Sequence, residues 1–157
     1  PEMNVLGIDI GYSNLKLAYG PQGAEPKVLL RPAGAAPADR LGEKIGGNGE
    51  EDFRRVLVNG EPFVAGLSPD RAELWSRELH EDYPSTNSYR ALFHAGLLLS
   101  ELDQIDLVVT GLPVNQYLNP ELRERLAAQM QGEHQITPRR KITVSKVKVV
   151  PQPGRIR

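Results

Sequence analysis

Residues 5–17 read VLGIDIGYSNLKL, and this segment sets the architecture of the chain. Residues 5–8 form a short apolar run, which is typical of a buried strand. Gly11 then provides a turn residue. Residues 14–19 alternate between polar and apolar side chains, as a half-buried strand does. The segment therefore predicts two strands joined by a tight turn.

The rest of the chain alternates between strands and helices. Further strands are predicted at 27–31, 106–110 and 141–150, and Gly111-Leu112-Pro113 is expected to end the second of these. Helices are predicted from the cap Thr86 to about residue 102, and from the cap Asn119 onward. Antiparallel pairing at the start followed by strand–helix alternation predicts an α/β fold, a mixed five-stranded sheet covered by helices.

A small β subdomain is predicted within the α/β fold. Asn59-Gly60 lies between the apolar segments 54–58 and 62–65 and is the strongest hairpin signal in the chain. The Gly- and Pro-rich stretch 32–52 has no periodic apolar face and is unusually long for a loop. It is therefore either functional or mobile.

Composition narrows the class of protein. The chain has 157 residues, 39% apolar and 25% charged, with a net charge of −1 and no cysteine. One domain with a real core fits this length. The charge gives no basis for direct nucleic-acid binding, and the lack of cysteine excludes disulfides and thiolate metal sites. No segment approaches the ~20 apolar residues of a membrane helix, and no secretory signal is visible, so a cytoplasmic location is expected.

The turn after the first strand carries the chemistry. Asp9 stands at the end of a buried strand, where a carboxylate needs a cation or hydrogen-bond donors. Successive backbone N–H groups around Gly11 can form an anion-binding concavity, and Ser13 and Asn14 add side-chain donors. Lys16 follows on the same strand face as Asn14. This set suits a phosphate chain with Mg²⁺ held largely through water. The same residues also fit an ordinary turn with a solvated lysine.

Other nucleotide-binding patterns and metal sites receive no support. The P-loop pattern and the Rossmann fingerprint are both absent. His80, His94 and His134 have no ligand-like spacing. We expect His94, on the first predicted helix, to serve packing or capping.

The pattern D-x-G-x-x-N-x-K-L at 9–17 resembles the first phosphate motif of the actin superfamily, and most closely that of the ParM/StbA-type plasmid-segregation ATPases. Other stretches resemble this family in the same order, namely 58–63, 86–87, 110–117 and 147–152. The resemblance covers most of residues 3–152. It implies an actin-like (ribonuclease H-like) domain.

The resemblance implies a domain organisation. Residues 3–32 would be the first part of the actin-like domain, 33–84 an inserted small subdomain and loop, and 85–152 the remainder of the domain. Residues 153–157 would be a truncated or non-native tail.

The resemblance also implies site roles. In the phosphate-binding segment, the backbone of Gly11, Tyr12 and Ser13 would hold the β- and γ-phosphates of ATP. Lys16 would pair with phosphate oxygens, and Asn14 would support the turn. Asp9 would orient water on Mg²⁺. Gln152 would position the attacking water in catalysis. The alternative for Gln152 is a surface residue in a Pro-Gln-Pro turn.

The function implied is an ATP-binding, filament-forming protein that segregates plasmid DNA. Its partners would be further copies of itself and a DNA-binding adaptor, without direct contact to nucleic acid or membrane. The family's second phosphate motif and adenosine motif are missing, so this chain alone is expected to bind nucleotide weakly and to be a poor ATPase. Two alternatives are a sugar-type kinase of the same superfold, which should carry an aspartate after the strand at 106–110, and a non-enzymatic scaffold domain.

Overall fold

The computed structural model describes residues 3–40, 53–70 and 83–152. The predictions for the stretch 41–52 and for the tail 153–157, and the histidine His80, lie outside these ranges. The described strands are β1 Asn4–Ile10, β2 Asn14–Pro21, β3 Lys27–Pro32, β4 Gly34–Pro37, β5 Arg54–Val58, β6 Glu61–Leu67, β7 Gln104–Ile105, β8 Leu107–Pro113, β9 Gly132–Thr137, β10 Arg140–Val144 and β11 Val147–Gln152. The described α-helices are α1 Asn87–Leu99, α2 Val114–Tyr117 and α3 Pro120–Met130, and Tyr83–Ser85 forms a 3-10 turn.

The main sheet has five strands in the order β11-β8-β1-β2-β3. β1, β2 and β3 pair antiparallel, whereas β8 runs parallel to β1 and β11 runs parallel to β8. The predicted mixed five-stranded sheet is therefore confirmed. Because β1, β8 and β11 are parallel, their carboxyl ends meet at one edge of the sheet, where open α/β sheets hold ligands.

A second, three-stranded sheet has the order β4-β6-β5. β5 and β6 form the predicted hairpin, and Asn59 and Gly60 at its tip both have positive φ, 51° and 82°, as a type I′ turn requires. β4 lies in the stretch expected to be a loop. Its residues Ala35 and Ala36 are poor strand formers, and they are buried through pairing with β6.

The predictions for the last two strands of the main sheet were partly wrong. The strand expected at 141–150 is two strands, since β10 pairs with β9 in a third sheet while β11 joins the main one. The strand expected to end at Thr110 continues to Pro113, because β11 pairs with it as far as Gln152. Pro151 is tolerated there because β11 is an edge strand of the sheet.

Helix α1 covers one face of the main sheet. Its N-cap is Thr86, as predicted, whose side chain accepts a hydrogen bond from the Tyr89 amide at 3.1 Å. It ends at Leu99 rather than near 102 because Glu101 takes a left-handed conformation with φ 60°. Gly96 lets the helix approach closely, since a Cβ there would lie 2.6 Å from Ile8 Cδ1. No helix in the described part of the chain has both the length and the apolar character to cross a membrane.

Two buried histidines join α1 to its neighbours. Nδ1–H of His94 donates to the Leu57 carbonyl of β5, and Nε2–H of His134 donates to the Met130 carbonyl at the end of α3, each at 2.7 Å. The two imidazole centroids are 5.5 Å apart. His94 is 3% exposed and serves packing, as predicted, although its contact with His134 could not be read from their separation in sequence.

We predict that this histidine pair makes stability sensitive to acid. Burial, followed by the proximity of His134 and Arg90, lowers the pKa of His94 to about 4, and burial lowers the pKa of His134 as well. A histidine in the unfolded chain has a pKa near 6.5. Between about pH 6.5 and 4, the unfolded state therefore binds more protons than the folded state. The stability that is present above this window is lost as the pH falls through it. We expect His94 alone to account for about 3 kcal/mol.

The measurement is urea unfolding of the parent and of His94→Gln between pH 7 and 4. The free energy of unfolding of the variant should fall less steeply than that of the parent. Equal slopes would show that His94 does not titrate between the two states.

Candidate functional site

An open cleft of about 810 Å³ lies at the carboxyl ends of β1, β8 and β11. Its walls come from segments that are far apart in sequence. The lining consists of residues 9–14 from β1 and the following turn, residues 83–84 and Tyr89, residues 111–116 from β8 and α2, and Gln152 at the end of β11. The predicted phosphate turn therefore faces a cavity large enough for a small molecule.

The turn itself is short and held by backbone bonds. The Gly11 amide donates to the Asn14 carbonyl at 3.0 Å, and the Ser13 carbonyl accepts from the Ala33 amide at 3.0 Å. Gly11 does not have positive φ, and a Cβ on it would only touch the Asn14 carbonyl at 3.4 Å. The bend alone therefore does not require glycine.

Asp9 and Gln152 come together at the floor of the cleft. Nε2–H of Gln152 donates to Asp9 Oδ1 at 3.0 Å across 143 positions of sequence. β8 lies between their two strands, and Gly111 of β8 leaves the space, because a Cβ there would be 2.6 Å from Gln152 Cγ. A carboxylate and an amide are thus fixed side by side at the sheet edge.

Lys16 stands beside this pair rather than within the cleft. It is exposed and lies directly opposite Asp9 in the β1–β2 ladder, where cross-strand Cβ atoms are about 5 Å apart. It is not among the described residues that line the cavity, whereas Asn14 is.

A cluster of three tyrosines borders the turn, and sequence reasoning missed it. Tyr12 stacks on Tyr83 with ring centroids 4.5 Å apart, and Tyr83 meets Tyr89 edge-on at 5.2 Å. The Tyr83 hydroxyl donates to the Gly11 carbonyl at 3.0 Å. Burial raises the pKa of Tyr83 and of Tyr89, so both hydroxyls stay protonated. The one sequence signal for Tyr83 is an aromatic residue three positions before the helix cap Thr86.

Thr110 ties this cluster to the strand that carries Asp9. Its hydroxyl donates to the Ile8 carbonyl at 2.8 Å, and its side chain is near enough to Tyr89 to lower the pKa of that phenol against the larger effect of burial. Thr110 is buried. Ile8, which precedes Asp9 in β1, is therefore held to β8 by the Thr110 side chain as well as by strand pairing.

The donor set fits magnesium held through water better than a metal bound directly by protein. Within residues 3–40, 53–70 and 83–152, no three His, Asp or Glu side chains are grouped closely enough to hold a metal ion. Asp9 offers one exposed carboxylate at the cleft. Mg²⁺ keeps several waters and commonly takes one or two carboxylates plus substrate phosphates.

Comparison with known families agrees with this geometry. Residues 7–154 match the family described as the N-terminal domain of actin-like proteins. The chain belongs to this family. No curated protein matches the sequence.

Solved structures share the actin-like fold over nearly the whole chain. The apo psk41 ParM protein matches with a TM-score of 0.67 and 18% identity, covering 98% of this chain and 50% of that one. The archaeal actin homologue Ta0583 in complex with ADP gives 0.57 and 16%, covering 96% and 44%. The 15-stranded ParM filament from Clostridium botulinum gives 0.58 and 15%, covering 97% and 48%. The chain thus spans about half the length of these relatives.

Proposed function

We propose that this chain is the phosphate-binding half of an ATP-binding, filament-forming actin-like protein that segregates plasmid DNA. The observation that carries the proposal is the Asp9–Gln152 hydrogen bond at the floor of the cleft. This bond joins the carboxylate proposed to support the metal to the amide proposed to position the attacking water. Both side chains lie beside the phosphate turn. Membership of the actin-like family supports the same assignment.

Each residue has a part in this proposal. Within the backbone of residues 11–13, the Tyr12 and Ser13 amides hold the β- and γ-phosphates, because consecutive amides form an anion-binding concavity. The Gly11 amide closes the turn by donating to the Asn14 carbonyl. Asn14 supports the turn, and Lys16 pairs with phosphate oxygens from the rim. Asp9 orients water on Mg²⁺, which when bound neutralises charge on the phosphates. Gln152 positions the attacking water.

We also propose the partners of this protein. The structural relatives include a ParM filament. This supports self-association of a protein that contains both halves of the cleft. A DNA-binding adaptor would link the filament to plasmid DNA, since a net charge of −1 gives the chain itself no basis for holding a polyanion. The cytoplasm is the compartment in which these partners meet.

A sugar-type kinase is the weaker candidate. Such an enzyme needs a carboxylate to accept the proton of a substrate hydroxyl. Among the described residues that line the cleft, Asp9 is the single carboxylate, and it already accepts a hydrogen bond from Gln152. The segment that follows Thr110 offers Gly111, Leu112 and Pro113 instead of an aspartate.

The test is a ligand series in the presence of Mg²⁺, with affinities measured by calorimetry for ATP, GTP, ADP, AMP and adenosine. Because the proposed contacts are to phosphates, we expect weak binding that falls by about tenfold for each phosphate removed, with ATP and GTP alike. Equal affinity for adenosine and ATP would contradict the phosphate site. Tightening of ATP binding by a hexose would favour the kinase, and no binding at all would favour the scaffold.

A further inference from the structure

Tyr83 lies in the 3-10 turn Tyr83–Ser85, just before α1, and its side chain contacts the phosphate turn. It is 8% exposed, yet it lines the cleft. One face of its ring stacks on Tyr12 and its edge side meets Tyr89. Its hydroxyl reaches back across 72 positions to the Gly11 carbonyl at 3.0 Å. Two independent contacts therefore bind this one side chain to the turn.

The contact to Gly11 fixes the direction of a peptide plane. In a trans peptide the carbonyl of one residue and the N–H of the next point in opposite directions. Holding the Gly11 carbonyl toward Tyr83 therefore points the Tyr12 N–H away from Tyr83. An anion-binding turn depends on such orientation, because its donors must converge before the ligand arrives.

Tyr83 is itself firmly anchored. Its carbonyl accepts hydrogen bonds from the Thr86 amide at 3.0 Å and from the Thr86 hydroxyl at 2.8 Å. The next carbonyl, that of Pro84, accepts from Gln129 Nε2 of α3 at 2.8 Å. The 3-10 turn that carries Tyr83 is thus tied both to the start of α1 and to α3, so it can act as a fixed support.

We propose that Tyr83 is a positioning residue that orders the Gly11–Tyr12 peptide for phosphate binding. This inference rests on the proposed function of the cleft. Tyr83 acts through the backbone of the turn, with its hydroxyl orienting one peptide and its ring holding Tyr12. The ring alone would fill the same space, so the hydroxyl is the part that distinguishes positioning from packing.

The experiment compares Tyr83→Phe with the parent and with the matched control Tyr117→Phe, whose ring lies against Arg123 and outside the cleft lining. Two quantities are measured: hydrogen exchange of the Gly11 amide without ligand, and affinity for Mg²⁺–ATP by calorimetry. In Tyr83→Phe we expect hydrogen exchange of the Gly11 amide to be about fivefold faster and the affinity for Mg²⁺–ATP to be about three- to tenfold lower. This is the range expected for the loss of one hydrogen bond. Tyr117→Phe should match the parent in both.

The two readouts separate the possible failures. Unchanged exchange in Tyr83→Phe would overturn the inference, because the turn would not depend on the hydroxyl. Faster exchange with unchanged affinity would overturn it too, since the ordering would not serve the ligand. A parent that binds no Mg²⁺–ATP would overturn the proposed function and the phosphate role together, while the ligand-free exchange would still decide whether Tyr83 orders the turn.

Discussion

Asp9→Ala should lower the affinity of the chain for Mg²⁺–ATP by about 10- to 100-fold, the usual cost of removing a group that supports a metal from its outer shell. Asp9 is exposed at the cleft floor and accepts a hydrogen bond from Gln152 at 3.0 Å. The Asp9 carboxylate lies outside the buried core, so we expect it to contribute little to the stability of the fold. The loss should therefore appear in binding and leave the unfolding midpoint nearly unchanged.

A metal-free comparison makes the Asp9 prediction specific. In excess EDTA the parent and Asp9→Ala should bind ATP equally weakly, because the proposed role of Asp9 is to hold water on the metal. Asp103→Ala is the matched control, since Asp103 is an exposed carboxylate paired with Arg140 far from the cleft in the fold. A variant that keeps the parent's dependence on Mg²⁺ would remove Asp9 from the metal site.

The purified chain should turn over ATP at least about 100-fold more slowly than a filament-forming relative, the Clostridium botulinum ParM protein, measured beside it. Phosphoryl transfer depends on positioning and on charge stabilisation from all sides, and loss of one preorganised donor already costs about 10²–10³ in rate. This chain carries one D-x-G phosphate motif and no second one followed by Thr and Asp.

Turnover should be followed by phosphate release under saturating Mg²⁺–ATP, with Gln152→Ala as the background. We expect the parent and the variant to be equally slow, because the second wall of the cleft is needed before Gln152 can act. Parent turnover at the rate of the relative, abolished in Gln152→Ala, would mean that this half of the cleft is catalytically sufficient.

Local patterning predicted the centre of the fold well. The strand, turn and strand at the start follow from an apolar run, a glycine and a strict alternation, and β1 and β2 pair antiparallel across this turn. The helix caps Thr86 and Asn119 both accept the expected backbone hydrogen bonds. Such signals are contained within a few residues, so a single sequence carries them.

The features that sequence reasoning missed depend on contacts between distant segments. β4 forms from alanines because β6 covers it, and propensity alone argues against a strand there. The break between β10 and β11 arises because the two strands join different sheets, which a continuous alternation does not reveal. Tyr83 belongs to the site only through a hydrogen bond to a residue 72 positions earlier.

The sequence predicted some features of the site residues and missed others. The family resemblance implied separate roles for Asp9 and Gln152 in the nucleotide site, and the hydrogen bond between their side chains was not predicted. Gly11 lies in the turn as expected, but its backbone does not need positive φ there. The roles of these residues toward phosphate and metal stay predictions.

A ¹⁵N NMR titration of the chain with Mg²⁺–ATP tests most directly whether triphosphate sits in the cleft at the carboxyl ends of β1, β8 and β11. The account predicts the largest shifts at the amides of residues 11–14 and at the side-chain amide of Gln152, with smaller shifts at residues 111–116. Shifts confined to the β9–β10 hairpin or to the β5–β6 hairpin, with residues 11–14 unmoved, would contradict it.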